Sequence, residues 1–102
     1  MKLIIITSIR EDLSVINHIM EKSGIPVFSV SETVGHKTEH QGFLMDNWYG
    51  KNEDGTDALF TFSFTDEATA RTAMLLIKAH NAETNSQFPI RGFLLPVEET
   101  TY

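Results

Sequence analysis

The order of its hydrophobic patterns is the sequence feature that most restricts how this 102-residue chain can fold. Four runs are continuous or alternating in apolar residues, as strands are, and they cover residues 2–7, 25–34, 58–64 and 88–97. Apolar residues at helical spacing predict a first helix from Asp12 to about Gly24. A second helix is expected from Thr65 or Asp66 to between His80 and Ala82. The resulting order, βαββαβ, predicts a single α+β domain over residues 1–102 with a ferredoxin-like fold, a four-stranded antiparallel sheet with two helices on one face.

The sheet face away from the helices is also expected to be apolar. Alternation places Phe60, Phe62 and Phe64 on one face of their strand, and we expect these rings to dominate the core. The residues expected to point away from the helices are Leu3 or Ile4, Val27 or Phe28, Leu59, and one of Leu94 or Leu95. A large uncovered apolar face marks an interaction site. We therefore predict a cyclic homo-oligomer.

Residues 35–57 form a long polar segment between the second and third predicted strands. The segment contains four glycines, two of the four histidines and the only tryptophan, without a sustained helical or alternating period. Loops longer than about 12 to 15 residues are uncommon in compact domains, and they tend to be binding loops, lids or disordered segments. We therefore expect the function to depend on this loop, the alternative being a surface connection with no further role.

Composition excludes several classes of function. The net charge of −6, with only eight lysines and arginines, disfavours nucleic-acid binding. The chain has no cysteine, which excludes disulfides and thiolate metal sites. No apolar run approaches the roughly 20 residues that span a bilayer, and the opening run is too short for a signal peptide, so we expect a cytoplasmic protein without direct membrane insertion. The sequence contains neither a recognisable nucleophile motif nor paired acids with an obvious base, so we do not expect an enzyme.

Two segments resemble the PII-like nitrogen-regulatory signalling family. Residues 29–35, SVSETVG, are similar to the T-V-x-E…G pattern that leads into the family's T-loop, and residues 93–99, FLLPVEE, are similar to its I-F-V-x-P-V-E-E strand. Members of that family are homotrimers of this fold with a long mobile T-loop between strands two and three. The resemblance implies a regulatory protein that binds a small ligand at the subunit cleft. It also implies that residues 35–57 control a partner, such as a membrane transporter or an enzyme.

The same resemblance implies a set of ligand-binding residues. Ser29 stands where a family threonine contacts the nucleotide base, and Arg91 stands where a lysine meets the phosphates, while Gly35 and Lys37 lie at the base of the loop. The family's G-R-Q-K and G-D-G-K motifs are replaced by HKTE at 36–39 and FPIR at 88–91. Triphosphate binding needs glycine-exposed backbone N–H groups and several cations. The cofactor is therefore left open between a nucleotide bound without the usual motifs and a divalent metal ion.

His36, Glu39 and His40 are the candidate metal ligands. Their imidazole and carboxylate groups suit zinc, copper or nickel, but only a helix would bring an i, i+4 pair together, so further ligands would have to come from elsewhere. This alternative is a divalent-cation-binding protein of the same fold, like the CutA-type cation-tolerance proteins or the PII-like proteins found with metal efflux systems. The simpler interpretation is two solvated histidines.

Trp48 and Tyr49 are the candidate partner-binding residues. They stand beside other large apolar side chains in an otherwise acidic segment, and aromatic side chains buried against a partner often dominate binding energy. Packing of the two rings onto the protein's own sheet is the alternative.

Overall fold

The computed structural model describes residues 1–36 and 56–101. Its elements are β1 (Lys2–Ile9), a short 3₁₀ turn (Arg10–Asp12), α1 (Leu13–Ser23), β2 (Ser29–Gly35), β3 (Thr56–Thr65), α2 (Glu67–Thr84) and β4 (Arg91–Pro96). The strands pair antiparallel in one sheet with the order β2-β3-β1-β4. The predicted α+β architecture, compatible with a ferredoxin-like βαββαβ fold, is therefore confirmed.

The two helices end where the backbone turns into the left-handed region. Gly24 follows α1 with φ 89°, a conformation that glycine adopts without steric cost, and its N–H donates to the Glu21 carbonyl at 3.2 Å. Asn85 follows α2 with φ 49°, so this helix runs slightly beyond the predicted end. Neither helix is long and apolar enough to cross a membrane within the residues that the structure describes.

The hydrophobic core lies between the helices and one face of the sheet. Ile4 and Ile6 of β1 are fully buried against Ile16 and Met20 of α1 and Ile77 of α2. The predicted apolar stripes of both helices are therefore largely confirmed. Burial of each isoleucine contributes roughly 1.5–3 kcal/mol.

The phenylalanines of β3 lie on the other face of the sheet, so the prediction that they dominate the core is wrong. The register pairs the core residues Ile4 and Ile6 with Ser63 and Thr61, and side chains alternate between faces along a strand. The residues of β3 that point toward the helices are Leu59, Thr61 and Ser63, which are buried. The residues that point away are Phe60, Phe62 and Phe64.

Small side chains explain this choice of face. Thr61 and Ser63 of β3 are buried, and so are Ala70 and Ala73 of α2. With short side chains on both sides, the helices pack close to the sheet and leave no space for three rings. Leu59, which we expected to point away from the helices, is instead only 3% exposed on the helix side.

The second strand starts later than predicted, at Ser29. Ile25 is buried in the core, and its packing there fixes the connection between α1 and the sheet. The Val27 carbonyl accepts a hydrogen bond of 2.6 Å from the Ser63 hydroxyl, which holds this connection against β3. Pro26 lacks the N–H that a longer strand would need.

Asp12, which precedes α1, should make the stability of the chain dependent on pH. Burial raises the pKa of the Asp12 carboxyl above its ordinary value of 3.8, and the charge of His80 opposes this in part. The folded state therefore holds the proton more tightly than the unfolded state, so ionised Asp12 lowers stability at neutral pH. Asp12→Asn is expected to raise the free energy of unfolding at pH 7 by no more than roughly 0.5 kcal/mol, because water screens a partly exposed group.

This gain should shrink as the pH falls through the raised pKa, and it should be lost below the ordinary value of 3.8. Urea unfolding at pH 7 and at about pH 3 measures it, with Glu21→Gln as a control on the exposed side of α1. An equal gain at both pH values would show that the charge is not its origin.

Candidate functional site

The long segment leaves and rejoins the sheet at one end. Gly35 ends β2 and pairs with Thr56 at the start of β3. Arg10 follows the last residue of β1 at the same end, because Ile9 pairs with Ala58 two residues into β3. Arg91 also begins β4 at this end, where it pairs with Thr7. The base of the segment therefore shares an end of the sheet with two arginines.

A cleft of about 240 Å³ lies beside the base of the segment. The described residues that line this loop-base cleft are Arg10, Glu32, Thr33, Val34 and Ala58. The Arg10 guanidinium and the Glu32 carboxylate form an ion pair across it. Their side chains are 60% and 62% exposed, so the pair adds no more than about 1 kcal/mol to stability, and both groups are accessible to a ligand.

Arg10 and Glu32 are site residues that the sequence did not indicate as binding groups. Arg10 lies beyond the predicted end of the first strand, and Glu32 drew notice only as part of the segment that resembles the family pattern. Strand pairing brings Arg10 and Glu32 together. Because β3 lies between β1 and β2, the register of its two pairings decides which residues of β1 and β2 lie at the same end of the sheet. An acid and a base more than 20 residues apart carry no local signal of this contact.

The predicted ligand-binding residues do not come together within one chain. Ser29 and Gly35 stand at opposite ends of β2, so about 20 Å of extended strand separates them. Arg91 lies in β4 on the opposite edge of the sheet, three interstrand spacings or about 14 Å from β2. His36 follows Gly35 and is exposed. A ligand that contacts both Gly35 and Arg91 of one chain would therefore have to span about 14 Å.

The other predicted residues, Lys37, Glu39, His40, Trp48 and Tyr49, lie outside the described residues. Their roles in ligand, metal and partner binding stay predictions. Within residues 1–36 and 56–101, no group of three or more histidine, aspartate or glutamate side chains is placed to hold a metal ion.

The sheet face away from the helices, here called the open face, is apolar over most of β1, β3 and β4. Register and alternation assign to it Leu3, Ile5, Phe60, Phe62, Phe64, Phe93 and Leu95, together with Thr7 and Arg91 at one end and Ser29, Ser31 and Thr33 along β2. The rings of Phe60 and Phe62 are 6.0 Å apart, and those of Phe62 and Phe64 are 6.3 Å apart in an edge-to-face arrangement. Phe64 is 54% exposed and Leu95 is 40% exposed. A contiguous apolar surface of this kind marks an interaction site.

Comparison with known proteins does not assign the chain to a family. A scan against protein-family models finds no match, and a search of curated proteins finds none either. The resemblance to the PII-like family therefore stays a prediction from the two segments that carry it.

Proposed function

We propose that this chain is a PII-like regulatory protein, a cytoplasmic homotrimer that binds a small ligand at a cleft between subunits. Residues 35–57 would respond to the ligand and control a partner such as a membrane transporter or an enzyme. The observation that carries this proposal is the position of the loop base and Arg91, at one end of the sheet but on opposite edges. Each chain holds half of such a site, so an adjacent copy completes it.

The open face supplies the reason for self-association. Three copies that meet through their open faces bury the rings of β3, which are half-buried or exposed in the single chain. A cyclic arrangement places different edges of neighbouring sheets next to each other, because its interfaces are heterologous. The β2 edge of one copy then lies near the β4 edge of the next.

The charges at such a cleft favour an anionic ligand. Arg10 and Gly35 of one copy and Arg91 of its neighbour would surround it, with Lys37 at the loop base as a further cation. Arg10 is already paired with Glu32, so a ligand anion competes with that carboxylate for the guanidinium. Ser29 lies at the far end of β2, where a small ligand held at Gly35 of the same chain does not reach.

Ligand control of the loop requires two loop states with different affinities for the ligand. A ligand that binds both states equally shifts neither population. Release of the Arg10–Glu32 pair on ligand binding would change the charges at the point where the loop leaves β2. A local change of this kind can order or release a segment.

A thermal-shift panel tests this function. Adenine nucleotides, other small anions and zinc are added separately to the wild type, Arg10→Ala, Arg91→Ala and Arg71→Ala. A ligand at about 100 times its Kd stabilises the folded state by about 2.7 kcal/mol, and we expect a nucleotide or an anion to raise the Tm of the wild type. The Arg10 and Arg91 variants should lose this rise. Arg71, an exposed arginine paired with Glu67 on α2, is the matched control and should keep it.

Limited proteolysis between residues 37 and 55 gives the second readout, and the same ligand should change the cleavage rate there. A ligand-induced Tm rise that persists in Arg10→Ala and Arg91→Ala would contradict the proposed cleft. Stabilisation by zinc alone, lost in a His36→Ala, His40→Ala double variant, would favour the metal-binding alternative instead.

A further inference from the structure

A second groove lies on the helix side of the sheet, between α2 and the edge strand β4. It has a volume of about 430 Å³, within the roughly 300–1,000 Å³ range of ligand pockets. The residues that form this β4 groove include Met74, Ile77, Lys78, Asn81, Ile90 and Gly92. The loop-base cleft lies toward the other edge of the sheet, and the open face lies on the other side.

In the part of the chain that the structure describes, the outer edge of β4 has backbone groups that pair with no other strand. Among the described residues β4 pairs only with β1. The Val97 N–H donates to the Met1 carbonyl at 3.2 Å, so alternate residues back along β4 also direct their N–H and C=O groups toward β1. The residues between them, Gly92 and Leu94, direct their groups outward. An unpaired edge of this kind is a template for an added strand.

Asn81 shows how a partner pairs with this edge. Its Nδ2 donates to the Ile90 carbonyl at 2.8 Å, and its Oδ1 accepts from the Ile90 N–H at 3.0 Å. The side chain thus replaces the residue that a neighbouring strand would offer to Ile90. At the other end, Pro96 has no N–H to donate. The pairing edge is therefore limited to Gly92 and Leu94.

The floor of the groove at Gly92 is backbone, because glycine has no side chain. A Cβ atom at this position would lie only 2.8 Å from the Met74 sulfur, so the helix packs directly over the glycine. Ile77 and Ile90 are buried beside it and supply an apolar wall. An extended peptide can approach this strand closely while one of its apolar side chains enters the groove.

One cation lies beside the groove on the helix side. Lys78 of α2 lines it, whereas Arg91 begins β4 at its edge and register assigns the Arg91 side chain to the open face. Arg71, two turns before Lys78 on α2, is paired with Glu67. Lys78 is therefore the cation that a ligand in this groove meets. The complementary ligand is acidic.

We propose that the β4 groove binds an extended acidic peptide segment of a partner protein. The peptide adds a strand to β4 at Gly92 and Leu94, places an apolar side chain between α2 and β4, and brings a carboxylate near Lys78. Main-chain pairing with an edge strand, combined with a pocket for alternate side chains, is a recurring mode of peptide recognition. This site does not depend on the ligand proposed for the loop-base cleft, but it requires that Gly92 and Leu94 of β4 stay uncovered in the proposed trimer.

Fluorescence anisotropy with labelled, acetylated octapeptides tests the groove. In three peptides glutamate alternates with valine, leucine or phenylalanine, and in their counterparts lysine replaces glutamate. At least one acidic peptide should bind the full chain saturably, and no lysine counterpart should. Lys78→Glu should weaken binding about tenfold or more, and added salt should weaken it further. Lys22→Glu makes the same charge change on an exposed part of α1, and it should leave the affinity unchanged.

N-methylated peptides and amide NMR spectra test the added strand. Methylation of alternate residues removes N–H groups from one edge of the peptide, so one methylated series should lose binding and the other should keep it. The amide signals of Gly92 and Leu94 should shift. Failure of all three acidic peptides at about 1 mM, the weak end of specific binding, would overturn the proposal. So would unchanged binding to Lys78→Glu, or equal competition by free glutamate.

Discussion

Phe64→Asp is expected to convert the proposed homotrimer into single chains of 11.5 kDa. The Phe64 side chain is 54% exposed on the open face, so the folded single chain can accept a carboxylate there at little cost. In a trimer built through this face, the carboxylate would be buried among the rings of neighbouring copies. Burial of an unpaired charge costs several kcal/mol, which is enough to dissociate an assembly at micromolar concentrations.

Light scattering coupled to size-exclusion chromatography measures this change. Leu95→Asp alters a second exposed residue of the open face and should also give single chains. Leu75 is 64% exposed on α2, on the other side of the sheet, so Leu75→Asp is the matched control and should leave the trimer intact. A wild-type particle of 11.5 kDa at working concentrations would contradict the trimer itself. Dissociation by Leu75→Asp as well would place the interface elsewhere.

Asn81→Leu is expected to lower the free energy of unfolding by about 2–4 kcal/mol, because it leaves two partly buried backbone groups without partners. Both hydrogen bonds of Asn81 are made to Ile90, whose side chain is 1% exposed in the core. Leucine has the same number and branching of side-chain heavy atoms as asparagine and favours helices, so neither a cavity nor a loss of helix propensity accounts for the loss. Urea unfolding measures it, with Asn17→Leu on the exposed side of α1 as the control.

Asn81→Asp tests separately the hydrogen bond that Asn81 donates to Ile90 and the one that it accepts from Ile90. The ionised carboxylate can still accept from the Ile90 N–H, but it faces the Ile90 carbonyl without a proton to donate. A protonated carboxyl can donate, so folding should raise the pKa of this carboxyl above the ordinary value of aspartate. The variant should then recover part of the lost stability as the pH falls through the raised pKa toward that ordinary value. Equal stability of Asn81→Leu and Asn17→Leu would show that the contact with Ile90 contributes nothing measurable.

Loss of Asn81 should also change the edge of the sheet. In the wild type its side chain occupies the outward groups of Ile90, which shortens the edge that β4 presents. Asn81→Leu uncovers these groups, so we expect a greater tendency to aggregate in addition to the lower stability.

The element order could be predicted from the sequence because hydrophobic periodicity is local. The isoleucine run of β1, the apolar stripes of both helices and Gly24 each indicate their own element, and the structure has all of them in that order. The face of β3 could not be predicted in the same way. Alternation places Leu59, Thr61 and Ser63 on one face of β3 and the phenylalanines on the other, but it does not determine which face packs against the helices.

The candidate sites were only partly visible in the sequence. Gly35 and Arg91 were predicted as binding residues from a family resemblance, while Arg10 and Glu32 gave no such signal. In the sequence Asn81 stands only near the predicted end of the second helix, but in the structure its side chain holds the start of β4 and limits the edge of that strand. A polar residue at a helix end has many possible partners, and only the folded chain selects one.

The sequence by itself therefore determined the elements, their order and the α+β class, because each depends on neighbours within a few turns or strand residues. Tertiary structure alone decided which strand face receives the helices, which residues share an end of the sheet, and which edge of the sheet is unpaired among residues 1–36 and 56–101. These features depend on strand register and on the distance between helix and sheet, which are set by packing across the whole chain.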